Sequence, residues 1–139
     1  MSAMQRTKGK AGEREIASIV RELTGWSAQR RVRQHGGDDD LVGILGWAPE
    51  VKRHKAAGRA DIARWWRQTV EQAGHALPVL FYRLDRDSWR AVWPLATLLT
   101  VQRADCWRGY PWTADTSVEA WAAVARETLS TGPTFSDRA

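Results

Sequence analysis

Residues 36–55 constrain this chain more than any other stretch. They hold a glycine pair, three consecutive aspartates (Asp38, Asp39, Asp40), a short apolar run over 41–45, and then Glu50-Val51-Lys52. Side chains of an extended segment alternate faces, so Glu50 and Lys52 share one face while Val51 points the other way. Two unlike charges side by side, with an aspartate upstream, suit a divalent cation held by carboxylates and a lysine ready to neutralise an anionic oxygen.

The remaining composition narrows the setting. A chain of 139 residues is expected to form one domain, 1–139, with a core of its own. The net charge of +5 implies an anionic partner, although a merely solvated basic surface gives the same count. The excess is uneven: residues 1–60 carry 12 Lys+Arg against 7 Asp+Glu, whereas residues 61–139 carry 9 against 9. Basic charge surrounding the aspartates favours nucleic acid over a membrane, and no apolar run approaches the roughly 20 residues of a membrane span. Cys106 is the only cysteine, which excludes an intrachain disulfide and disfavours zinc. These features fit a protein of the reducing cytoplasm. A tryptophan is more often core or interface than a base-stacking platform, and that is the expectation for the nine here.

Along the chain, residues 1–10 read as a mobile basic arm whose Arg6, Lys8 and Lys10 either contact phosphates or are merely solvated. Ile16, Ile19, Val20 and Leu23 fall at helical spacing, predicting a helix over 11–23 that Gly25 ends. Glu13 borders its apolar stripe, whereas Glu15 and Glu22 lie on the far side. A carboxylate at the edge of a buried face needs a partner, either a metal or an arginine, unless it only complements the helix dipole. A short strand is expected over 29–34, and a buried strand over 41–45 that turns at Gly46-Trp47 into a hairpin with Glu50-Val51-Lys52. Pro49 lacks a donor and favours an edge, a strand start or a bulge.

A second helix is predicted over 60–73, with Ile62, Trp65, Trp66, Thr69 and Val70 inward and Arg64, Arg67 and Gln68 outward. Strands follow over 77–82 and 89–93, then a short helix over 94–100. Thr116-Ser117-Val118-Glu119 is a capping-box pattern opening a helix to about residue 129, and 131–139 reads as frayed.

Three segments together carry a resemblance: Glu13 within Lys8-Gly9-Lys10-Ala11-Gly12-Glu13-Arg14-Glu15, then Asp40-Leu41-Val42, then Glu50-Val51-Lys52. Over about residues 6–95 the chain resembles PD-(D/E)XK nucleases, and within them archaeal-type Holliday junction resolvases and their bacteriophage relatives. The resemblance implies an α/β, restriction-endonuclease-like core over about 6–100. This would be a mixed five-stranded sheet flanked by helices, with a C-terminal helical extension over about 101–130. It also implies phosphodiester hydrolysis assisted by Mg²⁺, with Mn²⁺ able to substitute, acting on four-way DNA junctions as a homodimer. Metal ligands would be Asp40, Glu50, the Val51 carbonyl and Glu13, with Lys52 orienting water or stabilising charge. That family often has Pro where this chain has Asp39, so three aspartates compete; Asp40 directly precedes the apolar strand and is preferred. It usually has an apolar residue at Pro49. Phosphate contacts would come from Arg14, Arg30, Arg31, Arg33, Arg53 and Lys55, and Gln68 could reach the site from the second helix. His35 and His54 are expected to face phosphate or solvent, and His75 to cap a helix end. The competing expectations are another endonuclease or nickase of the same fold, a nucleic-acid-binding protein without catalysis, and a tryptophan-based interaction module.

Overall fold

The computed structural model describes residues 3–31, 40–98 and 106–131. Helix α1 spans Ala3–Thr24, so residues 3–10 extend the helix and do not form the arm expected from their polarity. Gly25 ends it with φ +78°, donating its N–H to the Arg21 carbonyl at 2.9 Å. Two short strands follow, β1 (Gln29–Arg30) and β2 (Leu41–Val42), paired antiparallel as a two-stranded ribbon.

The main sheet has four strands in the order β3-β4-β5-β6: β3 Trp47–His54, β4 Leu77–Leu84, β5 Arg90–Pro94 and β6 Thr113–Ser117. Helix α2 (Arg59–Ala73) is the crossover that lets β3 and β4 run parallel; the other two pairings are antiparallel. Helix α3 (Val118–Thr131) closes the described chain, and its Ser117 cap accepts the Ala120 N–H at 3.1 Å.

Three expectations change. The sheet is four strands plus a separate ribbon, not five strands, and β2 pairs with β1 where a β2–β3 hairpin was anticipated. The reason lies in Gly43 at φ +88°: a Cβ there would stand 2.3 Å from the Ser27 carbonyl oxygen. The chain turns sharply against residues 27–28, which aligns β2 with β1. The region read as purely helical beyond residue 101 also supplies β6. Thr113-Ala114-Asp115-Thr116-Ser117 has no clean apolar alternation, so only its pairing with β5 makes it a strand.

The two faces of the sheet are covered differently. One packs on α1 and α3 through Ile16, Val20, Val79, Phe81 and Trp121, all essentially inaccessible. The Trp121 ring meets Phe81, Trp47 and Trp26 edge-on at centroid distances of 4.9, 5.5 and 6.5 Å. The other face lies beneath α2, with Trp65, Trp66, Leu80, Tyr82 and Val92. Seven tryptophans are buried and Trp112 is exposed, so they mostly build the core, one of the two roles expected of them. Among the described residues, no helix is long and apolar enough to cross a membrane.

Candidate active site

Strand β3 is the edge of the four-stranded sheet, and its two sides do different work. In a parallel ladder, residues direct both backbone polar groups alternately to one neighbour and then the other. The Pro49 carbonyl accepts the Asp40 N–H at 3.4 Å, and the Val51 N–H donates to Asp40 Oδ2 at 2.7 Å. Pro49 and Val51 therefore face the edge away from β4. The missing donor of Pro49 falls where no ladder bond is needed, so the proline sits inside β3 without breaking its pairing with Val79.

Asp40 is fixed by this edge. Its carbonyl accepts the Arg31 N–H at 3.1 Å, tying it to the β1–β2 ribbon, while its carboxyl crosses to β3. There the carboxyl is also hydrogen-bonded to that of Glu50. Burial, followed by the hydrogen bond and charge of Glu50, pushes the Asp40 carboxyl up to about 8; the Val51 N–H and the Lys52 charge oppose the rise. Glu50 is itself only 7 % exposed. Two carboxyls in contact cannot both ionise without help, so the pair calls for a proton or a cation. Asp40, Glu50 and Lys52 are thus brought together, with the backbone of Val51 beside them.

Glu13 is buried on α1, and its Oε1 accepts from Arg30 Nε at 2.9 Å. Of the two partners anticipated for it, the structure supplies the arginine. Among the described residues, no group of three or more His, Cys, Asp or Glu is arranged to hold a metal ion. Two carboxylates and a carbonyl are what β3 and Asp40 offer. Helix α1 approaches β3 closely: a Cβ on the buried Gly12 would lie 3.2 Å from the Arg53 Cβ.

The family model that the chain matches, over residues 4–114, is described as "Phage putative PDDEXK endonuclease". This chain belongs to that family. Nucleases of the family generally use divalent metal ions. No curated protein matches the chain. Among solved structures it is similar to Hjc of Archaeoglobus fulgidus, a Holliday junction resolvase from an archaeal hyperthermophile. The identity is 21 %, the TM-score 0.49, and the match covers 84 % of this chain and 96 % of that one.

The remaining residues expected to serve this PDDEXK site are scattered in their placement. Lys10, Arg14 and Lys55 are exposed, and Gln68 lies on the exposed side of α2. Arg31 is half-buried beside Asp40. Arg30 is engaged by Glu13, and Arg53 donates to Asp85 at 2.7 Å and to the His54 carbonyl at 3.1 Å. Arg33, His35, Asp38 and Asp39 lie outside the described residues, as does the side chain of Lys8.

Several contacts escaped the sequence reading. His54 is exposed, as expected, and also stacks on Trp65 with centroids 4.6 Å apart. Glu15 accepts from Trp89 Nε1 at 2.6 Å and from Arg83, clamping α1 to the sheet from the side away from the apolar stripe. Tyr82 donates its O–H to Asp115 Oδ2 at 2.6 Å, joining β4 to a strand that the pattern did not announce.

Proposed function

We propose that this PDDEXK protein is a Mg²⁺-dependent endodeoxyribonuclease that hydrolyses phosphodiesters in four-way DNA junctions, with Mn²⁺ able to substitute. The observation that carries the reading is the contact between the Asp40 and Glu50 carboxyls beside Lys52. Such a pair keeps a proton when no cation is present, and a hard divalent ion takes its place with oxygen ligands it prefers. Asp40 and Glu50 would hold the ion, with the Val51 carbonyl on the same edge of β3. Glu13, whose carboxylate is held by Arg30, is the remaining ligand candidate. When bound, the ion lowers the pKa of a water for in-line attack and withdraws charge from the phosphoryl oxygens.

Lys52 is close enough for its charge to act on Asp40. It would neutralise a phosphoryl oxygen as negative charge develops there, or orient the attacking water. Lys10, Arg14 and Lys55 would meet phosphates, as would Arg31. Arg30 and Arg53 would do so only by exchanging their present carboxylate partners. Contacts of this kind give affinity and register without sequence preference, which fits a substrate recognised by its branched shape. Paired cuts across a junction need two active sites, which implies a homodimer.

The test is a synthetic four-way junction and a linear duplex of equal length, each incubated with and without Mg²⁺. The reading expects cutting of the junction only with Mg²⁺. Equal cutting of the linear duplex would replace the resolvase with a nickase or general endonuclease, and no cutting of either would end the reading.

A further inference from the structure

The sheet face that carries Glu50 and Lys52 does not end at those residues. Strand register places Lys52, Tyr82 and Arg90 opposite one another on three successive strands, β3, β4 and β5. Residues in register share a face, and this is the one beneath α2. Arg90 donates from Nε to Asp115 Oδ1 at 2.9 Å and from Nη2 to the Asp115 carbonyl at 2.8 Å. The other Asp115 carboxylate oxygen takes the Tyr82 hydroxyl. The guanidinium is thus held in one orientation, yet the Arg90 side chain is 41 % exposed. Its fork has five donors, of which Asp115 takes two, so donors remain at the surface.

A second arginine acts on a neighbouring side chain, Tyr110. Burial pushes the Tyr110 hydroxyl up and the Asp115 charge adds to this, while the Arg59 charge opposes it. Arg59 begins α2 and is exposed. Arg59 and Asp115 thus both lie within electrostatic reach of the Tyr110 hydroxyl, which packs on the face that bears Lys52. A surface ion pair alone would need neither the backbone bond to Arg90 nor the buried tyrosine that orients Asp115.

We infer that Arg90, held in place by Asp115, forms with Arg59 a second subsite for the substrate's sugar-phosphate backbone, on the sheet face of Lys52 and two strands away. Asp115 is a positioning residue; Arg90 makes the contact. The inference rests on the nucleic-acid reading above and adds where the strand runs after it leaves the scissile phosphate.

The test is fluorescence anisotropy of a labelled four-way junction in EDTA at several KCl concentrations. Arg90→Gln keeps a donor for Asp115 and removes the charge. It should weaken binding roughly three- to tenfold and reduce the salt slope by about 0.9. Asp115→Asn removes a negative charge, so general electrostatics would tighten binding; the inference expects weaker binding because Arg90 loses its orientation. Wild-type affinity in Arg90→Gln, or tighter binding in Asp115→Asn, overturns it. Should either variant fail to fold, phenylglyoxal modification of the wild-type protein decides. The junction should protect Arg90 and Arg59 while Arg126, on α3 across the sheet, reacts unchanged; equal reactivity of all three overturns the inference. Protection of Arg90 in a wild-type protein that cuts no DNA would sink the nuclease reading and leave the subsite standing. Cleavage without protection would do the reverse.

Discussion

The two faces of the central sheet are built from adjacent residues of the same strands but differ in what they carry beside their apolar clusters. Toward α1 and α3, Val79, Phe81 and Trp121 form a dry layer with no charged side chain among the most buried members. Toward α2, the alternate positions of β3 carry Glu50, Lys52 and His54, and the next strands continue with Tyr82 and Arg90. Both faces carry apolar clusters that stabilise the fold, and the α2 face in addition holds charge at Glu50 and Lys52 where a solvated surface would have been cheaper. Burying Glu50 and bringing Asp40 against it costs free energy that the Trp121 layer has to offset.

The comparison can be broken most directly at Lys52. Lys52→Ala and Glu50→Gln are expected to cut Mg²⁺-dependent cleavage by about 10²–10³-fold or more while the melting temperature holds or rises. Intact cleavage in either variant would remove the site from the α2 face. On the opposite face, Trp121→Ala is expected to cost about 3–5 kcal/mol in a denaturant titration, a large part of a typical domain's stability. A loss under about 1 kcal/mol would mean that Trp121 is not the centre of the dry layer. Gly43→Ala lies between these in kind. The strained φ and the approach to the Ser27 carbonyl predict a loss of about 1–3 kcal/mol, together with weakened metal binding because Asp40 hangs on the same turn.

The smallest expected effect is a trend with pH. The Asp40 carboxyl is raised in the folded protein from 3.8 to about 8 by burial first and Glu50 second. Between those values the folded state holds a proton that the unfolded state has released. The stability of the metal-free protein should therefore be fully present below about pH 4 with respect to this group, and be lost as pH rises through 8. Asp40→Asn should flatten that slope. An unchanged slope in thermal melts across the window would show that the pair does not share a proton.

Much of this was legible in the sequence, for identifiable reasons. The α2 segment carries a strong helical period and β4 a continuous apolar run, and the expected spans 60–73 and 77–82 match Arg59–Ala73 and Leu77–Leu84 closely. Asp40 is preferred in the sequence because it directly precedes the apolar strand, and its carboxyl does reach β3 at the Val51 N–H, while Pro49 sits where an edge strand allows it. What was not legible depended on partners distant in sequence. β6 becomes a strand through β5, and β2 is turned away from β3 by a contact between Gly43 and Ser27. Arg30 is seventeen residues from Glu13, and periodicity says nothing about which of several arginines will fill that role. The polarity of residues 3–10, which lack an apolar period, also hid the start of α1, whose Gly12 is set where the helix crosses Arg53.

The central claim is that Asp40 and Glu50 together form a divalent-cation site beside Lys52. Isothermal titration of Mg²⁺, and then Mn²⁺, into the DNA-free protein at pH 8 tests it most directly. The account predicts saturable binding in the wild type and its loss in Asp40→Asn, with Lys52→Ala still binding. No binding in the wild type, or equal binding in Asp40→Asn, would contradict it.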